Sequence, residues 1–176
     1  MDNLPSNASS SVHESHPTPL VWLTHSASVS IVAEVVRAGA LETGGLLVGY
    51  WSGEADVVVT DATRPGPLAA HAEDTYVPDA DHDELAMARL YAASGRRHAY
   101  LGDWHSHPRG GVGLSERDRR TLLTIATSAQ ARAPVPLMGI VVPSPSALTI
   151  AFWRLCPQTT RRVELCRAHS PVSDRR

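Results

Sequence analysis

A histidine pair stopped by a proline constrains this chain more than any other feature. Residues 102–118 run Gly-Asp-Trp-His105-Ser106-His107-Pro108, a loop holding Gly110, Gly111 and Gly113, then Leu114-Ser115-Glu116-Arg117-Asp118 at the head of an apolar, arginine-decorated run. Side chains alternate across a strand, so His105 and His107 share one face with Cα atoms about 6.5 to 7 Å apart, close enough for two imidazoles to converge on one ion. Pro108 has no N–H to give a ladder, so the strand should end where the second imidazole emerges. The fold must therefore contain a sheet that carries this strand to a mouth.

The flanking pattern supplies such a sheet. Residues 20–23 predict a short strand, and 28–38 a helix capped by Ser28 or Ser30, striped with Ile31, Val32, Val35 and Val36 and ended by Gly39. Residues 43–51 and 55–60 predict an antiparallel hairpin turning at Gly53. A proline-bearing segment follows, with a short strand at 75–77, and then a helix from Asp81 to Gly95 whose apolar residues are Leu85, Met87, Leu90 and Tyr91. Residues 98–107 form the histidine strand, 115–131 a helix, and 136–142 and 147–155 two strands joined by Pro143-Ser144-Pro145-Ser146. Strand pairs mixed with strand-helix-strand units predict an α/β domain, a mixed β-sheet flanked by helices.

Length and composition bound the rest. At 176 residues the chain is one domain. Residues 1–19, rich in Ser, Pro, Asn and His with no basic or apolar leader, predict a disordered tail rather than a secretory signal. Residues 20–157 form the domain, and 158–176 a partly disordered extension with an edge strand at 161–165. A net charge of −2 and the lack of a long apolar run predict neither a nucleic-acid nor a membrane partner. Cys156 and Cys166 lack zinc-knuckle spacing, which fits a reducing, cytoplasmic compartment. All 16 basic residues are arginine, a bias that codon usage explains and that would also deny a conjugation pathway any acceptor lysine.

Asp118, eleven residues past His107 across the glycine loop, completes a set of two imidazoles and one carboxylate, the ligand set of a catalytic zinc that keeps a fourth position for water. Ser115 and Asp118 also have the spacing of a helix capping box, a role compatible with facing a metal. A hydrolytic site needs a base, and Glu42, at the head of a glycine-bearing strand, is the candidate. Trp104, on the opposite face from the histidines, should be core; Asp103, on their face, is either an orienting acid or a surface one. His71 and His82 stay outside the site. Amidohydrolase-like barrels need more chain downstream than this sequence has. A cupin would want a further histidine and an earlier glutamate.

Taken together, Glu42-Thr-Gly-Gly45-Leu-Leu47-Val-Gly49, then His105-Ser-His107-Pro108, six residues, Ser115, two residues and Asp118, resembles the signature of the JAMM metalloisopeptidases, also called MPN-plus or JAB-domain proteins. In element order the resemblance spans residues 20–155. It implies a cytidine-deaminase-like α/β fold, zinc on His105, His107 and Asp118, Glu42 as general base and Ser115 as oxyanion donor. It further implies hydrolysis of amide or isopeptide bonds after the C-terminal tail of a ubiquitin-like protein. The compact, Ala- and Arg-rich chain looks more similar to bacterial JAB-type proteins encoded beside E1-like and E2-like enzymes than to eukaryotic members, which makes ubiquitin-like conjugates and those enzymes the expected partners. The alternatives are a catalytically silent MPN-type scaffold, whose relatives lack some of the ligands, and a RadC-like protein, which the charge does not favour.

Overall fold

In the computed structural model the described residues are 19–53, 56–144, 147–156 and 159–167. They form, in chain order, β1 (Leu20–Leu23), α1 (His25–Ala38), β2 (Gly44–Ser52), β3 (Asp56–Ala62), β4 (Ala70–His71), β5 (Tyr76–Val77), α2 (Ala80–Ala93), β6 (Ala99–Ser106), α3 (Glu116–Thr127), β7 (Leu137–Pro143), β8 (Leu148–Cys156) and β9 (Thr159–Arg167). The main sheet runs β1-β3-β2-β6-β7-β8-β9 and closes on itself, while β4 and β5 make a separate two-stranded hairpin. It is a mixed sheet as expected: β1 is parallel to β3 and β9, and β6 to β7, with the other pairs antiparallel.

The closure was not expected. Residues 161–165, expected as an edge strand, lie in β9, whose first part, Thr159–Val163, pairs with β8 and whose last part, Glu164–Arg167, pairs with β1, so β9 closes the sheet. Residues 1–18 of the expected tail at 1–19, and residues 157–158 and 168–176, lie outside the described residues, as do Glu54 and Ala55 in the hairpin turn and Pro145 and Ser146 in the β7–β8 connection. Among the described residues, no helix is long and apolar enough to cross a membrane.

Helix α1 begins earlier than the sequence pattern suggested. Thr24, rather than Ser28 or Ser30, is the cap: its Oγ1 accepts the Ala27 N–H at 3.3 Å and donates to the Thr60 carbonyl at 2.8 Å, tying the helix start to the end of β3. Ala27, Ile31 and Val35 pack into the main core with Val57, Val59, Leu101, Trp104 and Phe152. Val32 and Val36, also placed in the stripe, are exposed instead. Strand β7 is buried on both faces: Leu137 and Val141 enter the main core, and Met138 and Ile140 pack under Leu122 of α3.

Helix α2 breaks the expected pattern more sharply. Leu85 and Tyr91, two of the apolar residues named for it, are 59% and 43% exposed, and the buried residue of this helix is Asp83. Strand β6 carries a bulge beside Gly102, where the pairing register with β2 shifts between Leu47 and Val48. Gly102 has φ +143°, and a Cβ there would lie 2.0 Å from the Leu137 carbonyl oxygen. The extra residue puts Leu101 and Trp104 on the core face, with Tyr100 and Asp103 together on the other, and strict alternation from there leads to His105.

Candidate metal centre

The site forms where β6 ends. His107 lies one residue past the strand, yet its N–H still donates to the Val141 carbonyl at 2.8 Å, so β7 holds it in place. The Nε2 atoms of His105 and His107 are 2.9 Å apart. Asp118, in the first turn of α3, brings Oδ1 to 3.2 Å from His105 Nε2 and Oδ2 to 3.7 Å from His107 Nε2. One ligand atom from each of the three lies within 4.8 Å of the others. The fold thus brings the three residues named from the sequence together in space.

Two of the three side chains are aimed from behind. His107 Nδ1 sits 2.9 Å from the Gly111 carbonyl, which can only accept, so Nδ1 carries the proton and the Nε2 lone pair is left for a metal. The glycine loop that provides this carbonyl is itself pinned by Trp153, whose Nε1–H donates to the Val112 carbonyl at 2.8 Å. At Asp118 the capping box is complete: the Ser115 N–H donates to Oδ2 at 2.7 Å, and the Asp118 N–H donates to Ser115 Oγ at 3.2 Å. Burial by itself would raise the Asp118 carboxyl, but His105, by hydrogen bond and charge, and Ser115 outweigh it and hold the group well below the usual carboxylate range. An ionised carboxylate and two convergent imidazoles, one with a fixed tautomer, suit a divalent metal ion with an open coordination position.

Glu42 faces the same space and is fixed on both sides. Its N–H donates to the Ala72 carbonyl at 2.7 Å, and its own carbonyl accepts from His71 Nδ1 at 2.8 Å, so the β4–β5 hairpin clamps its backbone. The neighbouring Thr43 exchanges bonds with Ser106: its N–H donates to Ser106 Oγ at 3.1 Å, and the Ser106 N–H returns to the Thr43 carbonyl at 2.8 Å. The serine between the two histidines therefore sets where the glutamate stands. Thr43 Oγ1 also donates to the buried Glu34, at 2.8 Å, whose charge Arg37 balances. Gly44 pairs with His105, and a Cβ there would lie 2.4 Å from the Trp104 carbonyl oxygen, so this close approach requires glycine. Burial pushes the Glu42 carboxyl upward and the nearby His105 and His107 pull it partly back, leaving it raised.

Glu42, His105, Arg117 and Asp118 line two connected spaces, an inner cavity of about 340 Å³ and an open outer cleft of about 860 Å³. The cleft runs between the hairpin and the glycine loop, bridged by the Arg109–Glu73 ion pair and by Arg117 Nη1 donating to Thr75 Oγ1 at 3.1 Å. Trp104 is core, its Nε1–H bonded to the Thr63 carbonyl at 3.1 Å. Asp103 accepts from the Tyr100 hydroxyl at 2.7 Å. His82 lies on α2, where its charge bears on Asp83.

Sequence reasoning missed His71, Ser106, Tyr76 and Asp83. Alternation from His105 and His107 would have placed Ser106 facing inward; the other three reach the site through contacts of long sequence separation that no local pattern signals.

Comparison with known proteins agrees with this geometry. The family model described as prokaryotic homologs of the JAB domain matches residues 25–162, a span that includes both site windows. The chain is 36% identical over 147 residues, 83% of its own length and 88% of the relative's, to a protein named probable metalloprotease y4qB of Sinorhizobium fredii. It is 29% identical over 132 residues, 72% of its length and 69% of the relative's, to the CD-NTase/cGAS isopeptidase of Enterobacter hormaechei. The solution structure of a protein from Desulfitobacterium hafniense shares the fold with TM-score 0.66 at 20% identity, covering 85% of this chain and 94% of that one. By sequence match along most of its length, this chain belongs to the prokaryotic homologs of the JAB domain, a family of metal-dependent hydrolases.

Proposed function

We propose that the protein is a zinc-dependent peptidase or isopeptidase that cuts the amide bond following the C-terminal tail of a ubiquitin-like protein. The observation that carries this reading is the Ser115 hydroxyl. It accepts the helix-capping N–H through a lone pair, so its own proton stays available beside the ligands for an oxygen on which negative charge develops. When bound to His105, His107 and Asp118, zinc supplies a Lewis acid that acidifies water and polarises a carbonyl. Glu42, with its raised proton affinity, takes the proton from the attacking water and hands it to the leaving amine nitrogen. The cleft between hairpin and glycine loop is open, as an incoming peptide tail requires.

The name of the Enterobacter relative favours an isopeptide-linked substrate, and the expected setting is the cytoplasm beside E1-like and E2-like enzymes. The test is elemental analysis of the full chain with cleavage of a panel of ubiquitin-like fusions and isopeptide conjugates. The expected result is about one zinc per chain and cleavage after the ubiquitin-like C-terminus. A zinc-loaded protein that cuts nothing in the panel would sink the reading in favour of a silent scaffold.

A further inference from the structure

The inner cavity holds a charge for which the fold gives no structural reason. Helix α2 buries Asp83, 8% exposed, while leaving its own Leu85 and Tyr91 in solvent. Asp83 Oδ1 and the Tyr76 hydroxyl are both buried and, among the described residues, have no hydrogen-bond partner. Both line the inner cavity, and so does Asp103, whose charge bears on Asp83. Burial and Asp103 push the Asp83 carboxyl up to about 6. Arg117, at the rim, is engaged with Thr75. Leaving a carboxylate unpaired inside a protein is costly, whereas an apolar residue in its place would simply extend the core.

We propose that this cavity is a specificity pocket for a cationic side chain, an alkylammonium or guanidinium, carried by the substrate next to the scissile bond, with Asp83 as its counter-charge. The proposal rests on the peptidase reading for its substrate and on the cavity for its chemistry. A donor-only cation matches the acceptors present: two carboxylates and a phenolic oxygen. A neutral aliphatic guest would leave Asp83 unpaired. At about 340 Å³ the cavity is at the small end for ligand sites and has room for a long basic side chain. It opens onto Glu42 and His105, so a residue whose side chain fills it has its backbone beside the reacting carbonyl.

The experiment uses the full zinc-loaded chain carrying Glu42→Gln, titrated by NMR with the N-acetyl methylamides of lysine, arginine and norleucine. The basic ligands are expected to bind about tenfold or more tightly than norleucine, and Asp83→Asn should erase that difference while zinc content stays unchanged. Equal affinity for lysine and norleucine would overturn the proposal, as would a preference that survives Asp83→Asn or a second zinc per chain that Asp83→Asn removes. In the catalytically intact chain, Asp83→Asn should raise KM for substrates with lysine or arginine flanking the cut, with no such rise for norleucine substrates. Preferential binding without any cleavage would support the pocket and refute the peptidase reading; cleavage without preference would do the reverse.

Discussion

Asp118 and Asp83 line one cavity and are 5% and 8% exposed, yet their charges are treated in opposite ways. Asp118 has an imidazole on each oxygen and the Ser115 N–H as well, and its carboxyl is held low. Asp83 has an oxygen with no partner and a carboxyl held high. Equal burial therefore predicts nothing about a charge; the groups placed around it decide. Where the fold supplies the partners, the carboxylate belongs to a framework already assembled. Where it does not, the partner comes from outside.

The first way to test this contrast is to break the assembled half. His107→Ala should abolish zinc binding and turnover together, and stoichiometric zinc in a His105→Ala, His107→Ala double variant would place the metal elsewhere. Glu42→Gln should remove turnover, by about 10² to 10⁴-fold or more, with zinc retained, because its carboxylate acts on protons and not as a ligand. Ser115→Ala should cost about 10² to 10³ in kcat as an oxyanion donor and about 1 kcal/mol of stability as a helix cap. A stability loss with unchanged turnover would reduce it to the cap alone.

The smallest effect sharpens the contrast through pH. Asp83 has a folded-state pKa near 6 against an ordinary 3.8, so its contribution to stability is fully present below pH 3.8 and is lost as pH rises through 6. Asp83→Asn should therefore stabilise the protein by roughly 2 kcal/mol at pH 7.5, with the gain vanishing towards pH 4 in chemical denaturation. Asp118→Asn in metal-free protein should show the reverse sign: destabilising above pH 3.8, with the difference fading as pH falls further, since the Asp118 carboxyl is held low. Two curves of the same slope would end the distinction between the two acids.

Much of this was legible in the residues. The i, i+2 histidines, the proline stop and the Ser115 to Asp118 spacing are local patterns, and local geometry converts them directly into a strand mouth and a capped helix. Glu42 was legible as a candidate but not as a position, because Ser106 and the β4–β5 hairpin hold it through bonds spanning 29 to 63 residues. The start of α1 was misplaced since Thr24 takes its anchor from β3. Helix α2 misled for a different reason: hydrophobic periodicity assumes that a helix buries its apolar face, and this one turns an acid inward. The closure by β9 depends on pairing with β1 across the whole chain, which no window of sequence contains.

The bulge in β6 also limits how the gene can change in length. Upstream of Gly102 the strand has already absorbed one extra residue, but from Gly102 to Ser106 its pairing with β7 is unbroken. A single codon gained or lost within residues 103–106 would exchange the two faces, sending the two imidazoles towards the core and Trp104 towards the cleft. The segment between β3 and α2, with its short hairpin, carries no such phase. Insertions and deletions that separate relatives should therefore collect there and stop short of the histidine strand, so the distance from glutamate to histidines can drift while the distance between the histidines cannot.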